Sequence, residues 1–262
     1  MLICLTGLHK SGKSYFCFES GIPQKYGFEV FNKKNVVIEL CKQYYCLRNK
    51  DLLEMVKADN LALDKKDIPG AIWTFCNKWY GAMMAKDPYM ITNAIITYVK
   101  NHVVDTEKNN VILDAVHNNK EWEIIHEIIP KSGLLLFATP SEIRDTRSSD
   151  VDFIRKQNIK RIKYWCSDSN LPPLPYMALG TIDGSGTLEE IDTEFCYFIK
   201  QLKKSFDCEN SSDLTLVSQQ DLKLKNLMSE NELLAIENAK LRNYIATNNL
   251  KNVKGVDDEK VR

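Results

Sequence analysis

Leu2-Ile3-Cys4-Leu5-Thr6-Gly7-Leu8-His9-Lys10-Ser11-Gly12-Lys13-Ser14 is the stretch whose reading decides the fold of this chain. Leu2 to Leu5 is a short apolar run that reads as a buried strand. It leads directly into Gly7 to Ser14, the G-x-x-x-x-G-K-S pattern of a phosphate-binding loop. Glycine at 7 and 12 lets the backbone turn tightly and brings its amides close to phosphate oxygens, with Leu8, His9, Lys10 and Ser11 supplying the loop between them. A helix opening at Lys13 presents unpaired N–H groups and the positive end of its dipole to the same anion. Lys13 adds a cation at the β- and γ-phosphates, and the Ser14 hydroxyl completes a Mg²⁺ shell. The complete match directly after a strand separates this stretch from an ordinary strand, turn and helix.

The chain has 262 residues, enough for one α/β domain and an appendage. Lys plus Arg and Asp plus Glu both number 35, so the net charge is zero and gives no global attraction to nucleic acid or a membrane surface. Eight scattered cysteines include no C-x-x-C pair, which fits reduced, buried thiols in a cytoplasmic protein. No run approaches the roughly 20 apolar residues that span a bilayer. The apolar start is too short for a secretory signal and ends in the phosphate loop.

Downstream, apolar strands alternate with amphipathic helices, the pattern of a parallel sheet with right-handed crossovers. Strands are expected over 28–31, 110–115, 133–137 and 177–183, and helices over 13–20, 36–47, 122–129, 151–165 and 187–206. Between the second and third strands, 51–104 reads as helical in pattern and, with the helix at 36–47, makes 36–104 either an acceptor-binding insertion or helices that cover the sheet.

Asp114 closes the apolar run Val111-Ile112-Leu113, at the strand end where open α/β sheets place ligands. It is expected to hold the hydration shell of Mg²⁺ or to act as general base, or else to cap the next turn. Arg144 and Arg147 follow the 133–137 strand on a capped helix start and suit stacking on a nucleobase, clamping phosphate or surface pairing. Arg155, Lys156, Lys160, Arg161 and Lys163 mark 148–170 as a lid that brings positive charge to a transferring phosphoryl group, or as a solvated helix face.

Residues 1–206 resemble the P-loop nucleotide kinases, in the branch of dephospho-CoA kinase, archaeal adenylate-kinase-like proteins and phage deoxynucleotide monophosphate kinases. The resemblance lies in Gly7 to Ser14, in Val111 to Asp114, in Ala138-Thr139-Pro140-Ser141-Glu142-Ile143-Arg144 with Arg147, and in Ala178 to Glu190. It implies a P-loop nucleotide-kinase-like α/β fold and transfer of the ATP γ-phosphoryl to a small nucleotide-like acceptor with Mg²⁺. It also implies Lys13, Asp114 and Arg147 as catalytic residues, the loop with Arg144 on the nucleotide, and Ser14 with Asp114 on the metal. On the acceptor side the sequence departs from the family. Asn32-Lys33-Lys34-Asn35 stands where relatives have Arg-x-Gly-Asp, and Asp114-Ala115-Val116-His117 stands for Asp-Gly-x-Arg. Asn77-Lys78 occupies the place of a further arginine, so Lys33, Lys34, Lys78 and His117 are the replacement cations to look for.

Beyond 206 the composition changes. Residues 207–213 form a polar linker, and Leu227, Leu234 and Leu241 then recur at d with Val217, Leu224, Asn231, Asn238 and Ile245 at a. Across 214–250 this register predicts a parallel homodimeric coiled coil, with Glu237 and Arg242 placed for an interchain pair; the other arrangement is a helix packed back on the domain. No basic region precedes the heptads, so nucleic acid is not expected as a partner. The charged tail 251–262 reads as disordered. The chain is thus expected to be a Mg-ATP-dependent phosphotransferase on a nucleotide-like acceptor, or else a nucleotide-binding sensor that dimerises through its zipper.

Overall fold

The structure is a computed structural model and describes residues 1–58, 67–103, 110–207 and 227–242. Val217, Leu224, Ile245, most of the linker and the 251–262 tail lie outside the described residues.

Five parallel strands, β1 (Leu2–Gly7), β2 (Glu29–Phe31), β3 (Val111–Leu113), β4 (Ser132–Ala138) and β5 (Gly180–Asp183), form one sheet in the order β2-β3-β1-β4-β5. The helices are α1 (Lys13–Phe18), α2 (Ile22–Lys25), α3 (Lys33–Tyr44), α4 (Asn49–Ala58), α5 (Ile68–Lys86), α6 (Pro88–Asn101), α7 (Asn119–Ile128), α8 (Ser141–Thr146), α9 (Val151–Trp165) and α10 (Leu188–Asp207). A further helix, α11, is described over 230–242. This is the P-loop kinase-like α/β architecture, with helices on both faces of a parallel sheet.

Strand alternation divides the core in two, because successive side chains leave opposite faces. Leu2 and Cys4 of β1, Val111 and Leu113 of β3, and Leu134 and Leu136 of β4 face a cluster that α3, α5, α6, α7 and α9 cover. Ile3, Leu5, Ile112, Leu135 and Phe137 face the other cluster, closed by α1 and α10. There Phe16 meets Phe137 and Phe195 with ring centroids 4.9 Å apart, the second pair edge-on. Central strands buried on both faces explain why β1 and β4 read as continuous apolar runs.

Several boundaries differ from the sequence reading, and two of them have a plain local cause. α3 starts at Lys33, since the Asn32 side chain accepts from the Asn35 amide and caps the helix. β5 starts at Gly180, since Pro173 and Pro175 direct Leu174–Met177 into a 3₁₀ turn.

The zipper register is interrupted. Leu227, expected at a d position, is buried with Met228 in the domain core, and the chain leaves helical conformation at 228–229. Ser229 then opens α11 in a capping box, with Glu232 Oε2 accepting from the Ser229 amide. Ile236 is buried against the domain with Leu233, Ala235 and Ala239 beside it, while Leu234 and Leu241 are exposed. An f-position isoleucine lies opposite an a/d seam, so α11 turns one face to the domain and leaves Asn231, Leu234, Asn238 and Leu241 outward.

Candidate active site

The loop between β1 and α1 is held in a conformation only parts of this sequence tolerate. Gly7 and Gly12 have φ of 152° and 91°, and Lys10 is left-handed at 65°. Gly184, just after β5, lies hard against the loop: a Cβ there would sit 1.9 Å from the Ser11 carbonyl oxygen. Arg147 ties the same two segments together, donating to the carbonyls of Lys10 at 3.1 Å and Gly184 at 3.0 Å. Leu8, His9, Lys10, Ser11, Gly12, Lys13 and Ser14 thereby line a cavity of about 570 Å³.

Lys13 donates to the Gly7 carbonyl at 3.2 Å. Burial and the nearby Arg161 lower its ammonium to about 8, with Asp114 opposing. Asp114 is placed at the end of β3, where its Oδ1 accepts from the Lys33 amide at 2.8 Å. Burial raises its carboxyl while the Lys33 amide and Lys13 favour the ionised form. Ser14 lines the donor cavity and Asp114 lies within electrostatic reach of Lys13, so the donors offered are hard oxygens. Among the described residues no cluster of three His, Cys, Asp or Glu side chains forms a metal cage. One hydroxyl, one carboxylate, water and substrate phosphates is the shell that suits Mg²⁺, so these residues fit it.

A second cavity of about 930 Å³ lies beside the first, and His9 lines both. Trp73, Tyr80 and Met84 of α5 form its apolar wall, Asn77 and Gln157 offer amides, and His117 and Arg161 approach the loop side. Arg161 has no hydrogen bond or ion pair with another described residue, and burial lowers it to about 10. α9 is docked on the loop by Asn158, whose Oδ1 accepts from the His9 amide at 2.8 Å. Burial, with Arg161 next, lowers the His9 imidazole to about 4 and pushes His117 down in the same way, so both rings are neutral near pH 7.

The replacement cations do not reach the cavity as expected. Lys33 is buried in an ion pair with Glu121 and donates to the Tyr80 hydroxyl at 3.0 Å. Lys34 lies 5.7 Å from the Trp73 ring centroid, and Lys78 is exposed and lines neither cavity. His117 lines the cavity as a neutral ring, which leaves half-buried Arg161 facing it beside Lys160 and the Glu123-paired Lys120. Arg144, expected on the nucleotide, is instead directed to α11. Its Nε donates to the Thr139 carbonyl at 2.9 Å, and Nη2 pairs with Glu232. Arg147 does line the donor cavity, although its guanidinium is spent on two main-chain carbonyls.

Sequence reasoning missed Gly184, Asn158 and Glu121. The phrase Asp183-Gly184-Ser185-Gly186 was legible as a turn, and its place in the family-like segment was the available signal for Gly184. Nothing local marked the other two.

No protein-family model matches the chain, and no curated protein does. Among solved structures, the chain is similar to TT1252 from Thermus thermophilus, with 15% identity, a TM-score of 0.46 and coverage of 77% of this chain and 97% of that one. It is also similar to shikimate kinase from Aquifex aeolicus, with 14% identity, a TM-score of 0.39 and coverage of 76% and 96%. At these values the likeness carries no residue assignment. The kinase-like fold stands on the strand order and the loop geometry.

Proposed function

We propose that the chain is a Mg²⁺-ATP-dependent phosphotransferase whose acceptor is a nucleotide-like small molecule: a nucleoside or deoxynucleoside monophosphate, or a dephospho-CoA-like alcohol. The observation that carries this reading is the shared wall at His9, where a phosphate-loop cavity meets an aromatic-walled cavity with Lys13 on one side and Arg161, without an ion pair among the described residues, on the other.

Loop amides and Lys13 hold the β- and γ-phosphates of the donor. Ser14 and Asp114 would hold Mg²⁺, which when bound would offset the negative charge developing on the transferring phosphoryl group. Asp114 lines neither cavity, and its electrostatic reach to Lys13 is what supports the metal role. Arg161 stands where the phosphoryl group crosses between cavities, and a fixed cation there stabilises the transition state more than the ground state. Arg147 keeps the loop and the Gly184 turn in register.

ATP consumption against a panel of nucleoside monophosphates, deoxynucleoside monophosphates and dephospho-CoA tests this, with Lys13→Ala as control. Acceptor-stimulated turnover abolished by that change is the expected result. Tight nucleotide binding without acceptor-stimulated turnover overturns the reading.

That second outcome would describe a nucleotide-binding sensor, a reading favoured by the capture of Arg144 by α11. The outward Asn231, Leu234, Asn238 and Leu241 face, with Glu237 and Arg242 beside it, supports pairing with a second copy of the chain in either case. The seven described cysteines are all free thiols, which supports a cytoplasmic setting. No described helix is long and apolar enough to cross a membrane.

A further inference from the structure

Glu121 is fully buried on α7, and its carboxylate gathers three segments that are distant in sequence. Oε1 takes the Lys33 ammonium from the start of α3 and accepts from the Tyr80 hydroxyl of α5 at 3.1 Å. Oε2 accepts from the His117 amide, in the turn after β3, at 3.2 Å. Lys33 Nζ also donates to the Tyr80 oxygen, so ammonium, phenol and carboxylate close a ring of contacts in the interior. A buried carboxylate with this many partners is strongly oriented, because each alternative rotamer would strand a desolvated charge.

Two features of this cluster face the site. The Tyr80 ring belongs to the wall of the larger cavity. The Lys33 main-chain amide donates to Asp114 Oδ1. The cluster therefore joins the surface an acceptor touches to the carboxylate assigned to Mg²⁺.

We propose that Glu121, through Lys33 and Tyr80, is a positioning residue that fixes Asp114 for the metal and ties that fixation to the acceptor wall. The inference rests on the metal role given to Asp114 above. A loosened Lys33 lets its amide move from Asp114 Oδ1, and a carboxylate free to rotate holds a metal shell less well. The ring of Tyr80 remains in the wall when only its hydroxyl is removed, so the cluster can be broken without emptying the cavity.

The test is Mg²⁺ titration of binding of a non-hydrolysable ATP analogue to the full chain. The variants are Tyr80→Phe, the paired Lys33→Met with Glu121→Met, and Asp114→Asn. Replacing both partners with apolar side chains avoids a stranded buried charge, so the paired variant folds even where a single change does not. The expected result is Mg²⁺-free affinity within twofold of wild type. The Mg²⁺-dependent gain falls about tenfold in Tyr80→Phe and in the paired variant, with no added loss when Tyr80→Phe is combined with Asp114→Asn. A normal Mg²⁺ gain in both cluster variants overturns the proposal, as does full additivity with Asp114→Asn. Absence of any Mg²⁺ gain in the wild type, or a normal gain in Asp114→Asn, overturns the metal role itself and the proposal with it.

Discussion

Arg144 of α8 and Glu232 of α11 form an ion pair with the arginine side chain almost wholly buried, and this pair joins the appended helix to the strand end that borders the phosphate loop. Removing one partner strands the other charge in the interior, which costs about 3–5 kcal/mol. Glu232→Ala is expected to lower stability by that order in chemical denaturation of the full chain. A change under about 0.5 kcal/mol would show that α11 is only loosely seated.

Gly184 has no room for a side chain, since the nearest contact to an added Cβ is main-chain carbonyl that has nowhere to retreat. Gly184→Ala should displace Ser11 and the loop amides, costing about 1–3 kcal/mol of stability as overpacking does. ATP-analogue affinity should fall at least tenfold by calorimetry. Gly70→Ala, where nothing lies within 4 Å and φ is not positive, serves as a control without the clash.

Arg161→Ala should separate binding from transfer. Its guanidinium lines the larger cavity and not the phosphate-loop cavity, so analogue affinity is expected within about threefold of wild type. Acceptor-dependent turnover should drop about 10²–10³-fold, the scale of losing one preorganised electrostatic contact. Equal losses in both measurements would place Arg161 on the donor.

Acid should destabilise the fold through the two histidines. The His9 value is lowered to about 4 in the folded chain, and an unfolded histidine titrates near 6.5. Between those values the unfolded state binds more protons, so this stabilising contribution is complete above about 6.5 and is lost as pH falls toward 4. His117 acts in the same direction. In urea titrations at pH 7 and pH 5, His9→Gln should show a smaller drop in stability than wild type; an identical drop would assign the acid sensitivity elsewhere.

Leu234→Lys with Leu241→Lys should leave the fold intact, because both side chains are exposed. If that face pairs two chains, sedimentation should change from dimer to monomer. A wild-type chain that already sediments as a monomer removes the pairing.

The phosphate loop, the alternating strands and the order of elements were legible because each is a local pattern with a strong physical cause: paired glycines, period-two burial, capped helix starts. Lys33 shows where locality fails. Its charge suggested a replacement for a missing arginine, but its partner Glu121 lies 88 residues away and turns it inward. Asn158 reaches the loop across 149 residues, and nothing in the helical pattern of α9 distinguishes it from its neighbours. The leucine repeat was a genuine helical period over 230–242. Periodicity alone, however, did not reveal that Ile236 on the opposite face would be the buried one, or that Leu227 would enter the core.

The bond from His9 to Asn158 also has a kinetic meaning. One loop amide is already occupied from within, by an asparagine on the helix that covers the site. A triphosphate that took up this amide would first have to displace the Asn158 side chain, while α9 and its Arg161 stay seated through Ile154, Ile162 and Trp165. The observed association rate should then level off at high nucleotide concentration, at the frequency with which that side chain lets go.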